Sequence, residues 1–135
     1  MDYQFTPEQE ELRSTVRAIL AQRSQPRDSF DGGPALDAGA WSALSELGLC
    51  GLGVDESLGG SGGDLIDQLI VVEEIGRAAA AVPFASSTVV SLPLVDALAS
   101  DSQRERFLPA VASGELILTT ALTGEGTGNP DDTVT

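Results

Sequence analysis

A chain of 135 residues, 41% hydrophobic and 21% charged, is long enough to bury one real core and too apolar to remain disordered throughout. Asp and Glu number 21 against seven arginines and no lysine, a net charge of −14, so the surface repels phosphate backbones and anionic headgroups and argues against nucleic-acid or membrane-surface partners. One cysteine, Cys50, and no histidine exclude an internal disulfide, a Cys/His zinc site and any Ser–His or Cys–His dyad within the chain.

The N-terminus, MDYQFTPEQEELRS, is acidic and has no apolar h-region, and no stretch approaches transmembrane length. A cytoplasmic protein is expected. Thr6-Pro7-Glu8-Gln9 reads as a helix start: Thr6 can cap, Pro7 suits the first turn, and Gln9 stands where a capping-box partner belongs. Leu12, Val16, Ile19 and Leu20 then share one face, with Glu10, Arg13 and Arg17 off it. The helix should fray near Arg23 to Pro26, where SQPRDSFDGGPALD reads as a loop.

A second helix, from about Asp37 to Leu47, turns Trp41, Leu44 and Leu47 inward and stops at Gly48. Cys50 lies among Leu49, Gly51 and Leu52, which suits a small buried hydrophobe better than a reactive thiol. The glycines of GLCGLGVDESLGGSGGD resemble a phosphate loop, but the strand–GxxxxGK[ST]–helix context is missing. A flexible surface turn is the better reading.

Asp64 is placed to cap a third helix reaching about Ala80. Leu65, Ile66, Leu69, Ile70, Val72 and Ile75 give it a wide apolar surface, which predicts a central helix buried on more than one side. Glu73 and Glu74 suggest paired carboxylates, yet Glu73 stands four residues before Arg77, the favourable orientation for a helical ion pair. The structural reading is preferred. VPFASSTVVSLPLVDALA looks helical, with Pro83 at its start and Pro93 inside, where a kink or interruption is expected. A fifth helix begins after Ser100-Asp101 and ends by Gly114, with Phe107, Leu108 and Val111 as apolar contacts and Pro109 splitting off its last turn. From Glu115 to Thr123 the β-branched and apolar run ELILTTALT reads as a buried strand. A single strand is not stable alone, so its partners are expected in residues beyond this chain or in another chain.

Taken together, FTPEQEELRSTVRAIL, WSALSELGLCGLGVDESLGGSGGD, VVEEIGRAAAAVP and SDSQRERFLPAVASGELILTTALTGEGTG resemble, in order and spacing, the N-terminal portion of a flavin-dependent acyl-CoA dehydrogenase. The resemblance covers essentially the whole chain. It implies a mainly α fold: an all-helical N-terminal domain at residues 1–114, then the first strand of a truncated middle β-domain at 115–135. The family's reaction takes a proton from the carbon next to a thioester carbonyl and a hydride from the following carbon, with FAD as hydride acceptor. By resemblance, Thr123 corresponds to the threonine that contacts flavin, with Leu122 and Thr120 beside it. Gly126 and Gly128 let the backbone approach the ligand.

Where the family commonly reads Thr-Glu-Pro and then Ala-Gly-Ser-Asp, this chain reads Thr123-Gly124-Glu125 and Thr127-Gly128-Asn129-Pro130, with Asn129 still able to offer a hydrogen bond. The resemblance also assigns Ser86, Ser87 and Val90 to the far end of the acyl pocket, where Pro93 and the small serines would widen it; alternatively Pro93 merely bends a packed helix. The catalytic glutamate of the family belongs to the C-terminal domain, so no catalytic residue and no metal ligand is assigned to this chain. An acyl-CoA thioester, an electron-transfer flavoprotein or similar acceptor, and a homo- or hetero-oligomeric assembly are the implied partners. Two other readings remain open: a non-catalytic partner subunit of a heteromeric dehydrogenase acting on bulky or steroid CoA thioesters, and an acidic helical interaction module with no enzymatic ancestry.

Overall fold

The computed structural model describes residues 4–25 and 32–121. Five α-helices carry the fold within them: α1 Pro7–Arg23, α2 Ala38–Glu46, α3 Leu65–Ala78, α4 Leu92–Leu98 and α5 Asp101–Ala112. Short 3-10 turns lie at Leu49–Gly51 and Glu56–Leu58, and a π-helical segment, Ala85–Ser91, runs directly into α4.

The helix starts follow from local chemistry. Thr6 Oγ1 accepts from the Gln9 N–H at 3.2 Å, and the Gln9 side chain accepts from the Thr6 N–H at 3.1 Å. Two otherwise orphaned amides are thereby satisfied. Asp64 and Asp67 repeat the arrangement at the start of α3. Asp37 caps α2 through the Ala40 N–H at 3.0 Å and also accepts from Ser24 Oγ at 2.7 Å and the Gln25 N–H at 2.8 Å. One carboxylate thus ties the end of α1 to the start of α2. Burial alone would raise its pKa, but these hydrogen bonds together outweigh burial and hold it below the ordinary range.

Packing gives two cores. The larger joins α1, α2, α3 and the head of the π-segment through Val16, Leu20, Trp41, Leu44, Cys50, Val71, Ile75 and Phe84. Cys50 is fully enclosed there and burial pushes its thiol pKa up, as its apolar neighbours foretold. The smaller core gathers Val54, Leu92, Leu108 and Val111.

Several expectations change. Leu47 is half-exposed, because it is the C-cap residue, where the chain is already leaving α2 for Gly48 at φ 72°. On α3, Ile70, Val71 and Ile75 are buried, while Leu65, Ile66 and Leu69 are about half exposed; within the described residues the helix is covered on one side only. Glu73 does not pair with Arg77. It accepts from Arg13 of α1 at 3.0 Å, and Arg77 turns to Glu74 at 3.1 Å, because the α1–α3 packing brings an arginine from the neighbouring helix closer than the helix's own.

The glycine-rich stretch is not a loose turn. The Gly53 N–H donates to Gly62 O at 2.7 Å, the Gly62 N–H to Val54 O at 3.1 Å, and Gln68 Nε2 to Leu52 O at 2.7 Å. At Gly60 a Cβ would collide with the Val54 carbonyl, so close backbone approach is what requires glycine there. Pro93 is the second residue of α4, and the widening to π geometry falls just before it. A proline ring crowds the carbonyl four residues back, and a π-turn moves that carbonyl away. Pro109 does not split α5, which continues to Ala112.

Beyond α5 the chain turns at Gly114, whose carbonyl accepts from Trp41 Nε1 at 3.0 Å. Residues 116–121 then form neither helix nor ladder, yet burial alternates: Leu116, Leu118 and Thr120 are half-buried, and Ile117, Thr119 and Ala121 exposed. Alternating burial is strand geometry, but the β-branched and apolar run predicted a buried strand, and here one of its two faces is exposed among the described residues. Among the described residues it has no sheet neighbour, the single β-bridge being Leu52 with Gly62. The end of the expected strand lies outside the described residues.

Candidate functional site

The chain leaving α5 is held by hydroxyls. Ser87, fully buried on the π-segment, accepts from the Leu118 N–H at 3.0 Å. One π-helical turn on, Ser91 donates to the Ser86 carbonyl at 2.7 Å and meets Thr120 Oγ1 at 2.7 Å. An extended chain normally satisfies its amides on a neighbouring strand; here the Ser87 hydroxyl does so for Leu118, and Ser91 holds the Thr120 side chain. Next to this seam is a cleft of about 440 Å³ whose walls include Leu94, Val95, Leu98, Phe107, Leu118 and Thr120. Its lining is mostly apolar, with the hydroxyl residues Ser91, Thr119 and Thr120 among it, a composition common to small-molecule sites.

The residues assigned to the acyl pocket separate. Ser86 is exposed and donates to Pro83 O at 3.0 Å. Val90 lies on the same exposed side, about half open to solvent. Ser87 faces inward and is committed to Leu118. Of the residues assigned to the flavin, Thr120 lines the cleft; Leu122, Thr123, Gly126, Gly128 and Asn129 lie outside the described residues. Ser91 was not singled out in the sequence, although hydroxyls at 87 and 91 recur at helical spacing within an apolar run and so share a face.

A second cleft of about 270 Å³ opens between α1 and α3, lined by Arg17, Leu20, Ser24, Glu74 and Arg77. Glu74, 1% exposed, accepts from Arg17 at 2.9 and 2.7 Å and from Arg77 at 3.1 Å, with Arg13 at 3.9 Å. The Arg17 hydrogen bonds hold its carboxyl below the ordinary range against the opposing effect of burial. A carboxylate kept ionised in this way is a poor proton acceptor near neutrality, so this cleft is read as structural. The described residues contain no group of His, Cys, Asp or Glu arranged to hold a metal, and none of their helices is long and apolar enough to cross a membrane.

For FAD, the described residues fit as part of a site. The first cleft supplies an apolar wall and the Thr120 hydroxyl, which suits a flat ring with a polar edge.

Comparison with known proteins gives one consistent picture. Residues 6–115 match the acyl-CoA dehydrogenase N-terminal domain. The acyl-CoA dehydrogenase IpdE2 of Mycobacterium tuberculosis is 35% identical over 119 residues, 84% of this chain and 36% of the relative. Among solved structures, the ChsE4–ChsE5 complex of M. tuberculosis superposes with a TM-score of 0.82 at 29% identity, over 93% of this chain and 35% of that one. A variant of the Tcur3481–Tcur3483 steroid ACAD gives 0.77 at 28% identity, over 91% and 34%. The chain therefore spans about a third of the length of the relatives it matches.

Proposed function

The chain belongs to the acyl-CoA dehydrogenase family, and from that premise we propose that it is the helical N-terminal part of a subunit catalysing FAD-dependent α,β-dehydrogenation of an acyl-CoA thioester in the cytoplasm. Kinship removes the reading of an interaction module without enzymatic ancestry. The observation that carries the proposal is the seam of Ser87 and Ser91 against Leu118 and Thr120, which delivers the chain from a helical domain to the rim of an apolar cleft.

Under this reading Thr120, with Leu122, Thr123, Gly128 and Asn129 following it, contributes to the flavin site, and Ser86 and Val90 lie toward the acyl group. FAD, when bound, supplies the hydride acceptor. This chain's residues orient the ring and exclude water: Leu94, Leu98 and Leu118 offer apolar surface and Thr120 a fixed polar contact. No residue here is proposed as catalytic base. Ser87, buried and bonded to Leu118, acts on the acyl pocket through the seam rather than by contact.

Made continuous with the rest of its protein, the chain should purify yellow and, given an acyl-CoA and an electron acceptor such as an electron-transfer flavoprotein, should turn over. The 135 residues alone should retain no stoichiometric flavin and show no dehydrogenase activity. A colourless, inactive full-length protein would count against the reading.

A second reading rests on the sequence after Thr123, where Gly124-Glu125 and Asn129-Pro130 replace the family's usual residues. Here the subunit completes a partner's pocket for a bulky or steroid CoA thioester and holds no flavin of its own. The likeness to the ChsE4–ChsE5 complex and to a steroid ACAD supports it. Co-expression with the genomic neighbour decides: flavin and activity only in the pair favour this reading, and a yellow, active protein made alone rejects it.

A further inference from the structure

We infer that Ser91 fixes the direction of the Thr120 hydroxyl and makes it an obligatory hydrogen-bond acceptor toward the occupant of the cleft beside α4. The occupant is a ligand presenting an N–H or O–H donor at the polar edge of an apolar body; that it is the flavin rests on the function proposed above.

A serine hydroxyl has one proton to donate and two lone pairs. Ser91 Oγ lies 2.7 Å from the Ser86 carbonyl oxygen and 2.7 Å from Thr120 Oγ1. A carbonyl cannot donate, so the Ser91 proton must lie toward Ser86; otherwise two oxygens would face each other at 2.7 Å with no proton between them. The proton of the Ser91–Thr120 contact must then come from Thr120. Ser91 is 3% exposed, so water does not compete for it. Thr120 thus has its proton engaged on the protein side, and as a residue lining the cleft it has a lone pair to offer there and no donor.

The arrangement depends on the π-segment. Its widened turn brings the Ser91 hydroxyl to a carbonyl five residues back, and Pro93 follows at the second position of α4. Ser91 is therefore a positioning residue: it acts on the ligand only through Thr120.

The test uses the full-length protein carrying this chain, with FAD as probe. Ser91→Ala and Thr120→Val are each expected to weaken oxidised-flavin binding by about fivefold to tenfold, the effect of one hydrogen bond, and to shift the flavin's visible absorption. Ser91→Thr should restore both readings, and the double variant should be no worse than Thr120→Val alone. Independent, multiplying effects, or a Thr120→Val protein with unchanged affinity and spectrum, overturn the inference. The second of these stands even where Ser91→Ala fails to fold. NMR couplings reporting the Thr120 side-chain torsion separate the two levels of the argument. A single locked rotamer in a wild-type protein that binds no flavin defeats the functional reading and leaves the hydroxyl direction intact. A rotamer averaged in a flavin-binding wild type defeats the inference and leaves the function intact.

Discussion

Around Trp41 and Phe84 the chain closes on itself: α1, α2 and α3 share one apolar core, Asp37 ties two helices, and Glu74 gathers arginines from both sides of the α1–α3 contact. Around Leu108 it stays open. There the core has four buried side chains, a cleft of about 440 Å³ lies beside it, and Val90, Leu94, Leu98 and Ile117 face solvent. The first half supplies stability through enclosure. The second leaves apolar surface and hydroxyls available, which is what a site, or a contact with further parts of an enzyme, needs. Both regions leave apolar side chains in solvent, Leu65, Ile66 and Leu69 on α3 among them; they differ in the size of the core beneath, twelve buried residues against four.

Four substitutions probe that contrast. Phe84→Ala, at a fully buried position of the closed half, should cost about 3–5 kcal/mol in urea denaturation. Leu108→Ala, equally buried but next to the open cleft, should cost about 2–3 kcal/mol, because neighbours or water can relax into the space. The reverse order would break the comparison.

Glu74→Gln should cost about 2 kcal/mol at neutral pH, since the half-exposed Arg17 and Arg77 rehydrate when released. The sign with pH follows from a folded-state pKa below the ordinary 4.5. The stabilisation is present above that value and lost as pH falls through the lower folded one. Wild type and variant should therefore converge in acid, and urea titrations across that range would show a constant gap if the ion pairs were not the cause. Leu98→Ser, at 80% exposure, should change the stability of this chain by less than about 0.5 kcal/mol. A larger loss would mean that the open half is already covered.

Much of the fold was legible because its signals are local. Thr6 with Gln9, Asp64 before an apolar run, Gly48 after α2 and the β-branched, apolar run from Leu116 each declare an element within a few residues, since capping and β-propensity are properties of short stretches. The candidate site was legible only in part. Thr120 was found through resemblance, whereas Ser91 was passed over: its partner lies 29 residues away in sequence, and nothing in a serine announces such a contact.

What the sequence determined by itself is therefore the helical class, the helix starts and the change to a strand-like composition after Gly114, all consequences of short-range preferences. What the tertiary structure decided is which charges and hydroxyls meet. Glu73 took Arg13 rather than Arg77, the glycine-rich stretch became a bonded loop, and Ser91 met Thr120. Those outcomes depend on how α1, α3, the π-segment and the exit chain pack against one another, and side chains brought together by packing compete on distance and desolvation rather than on sequence spacing.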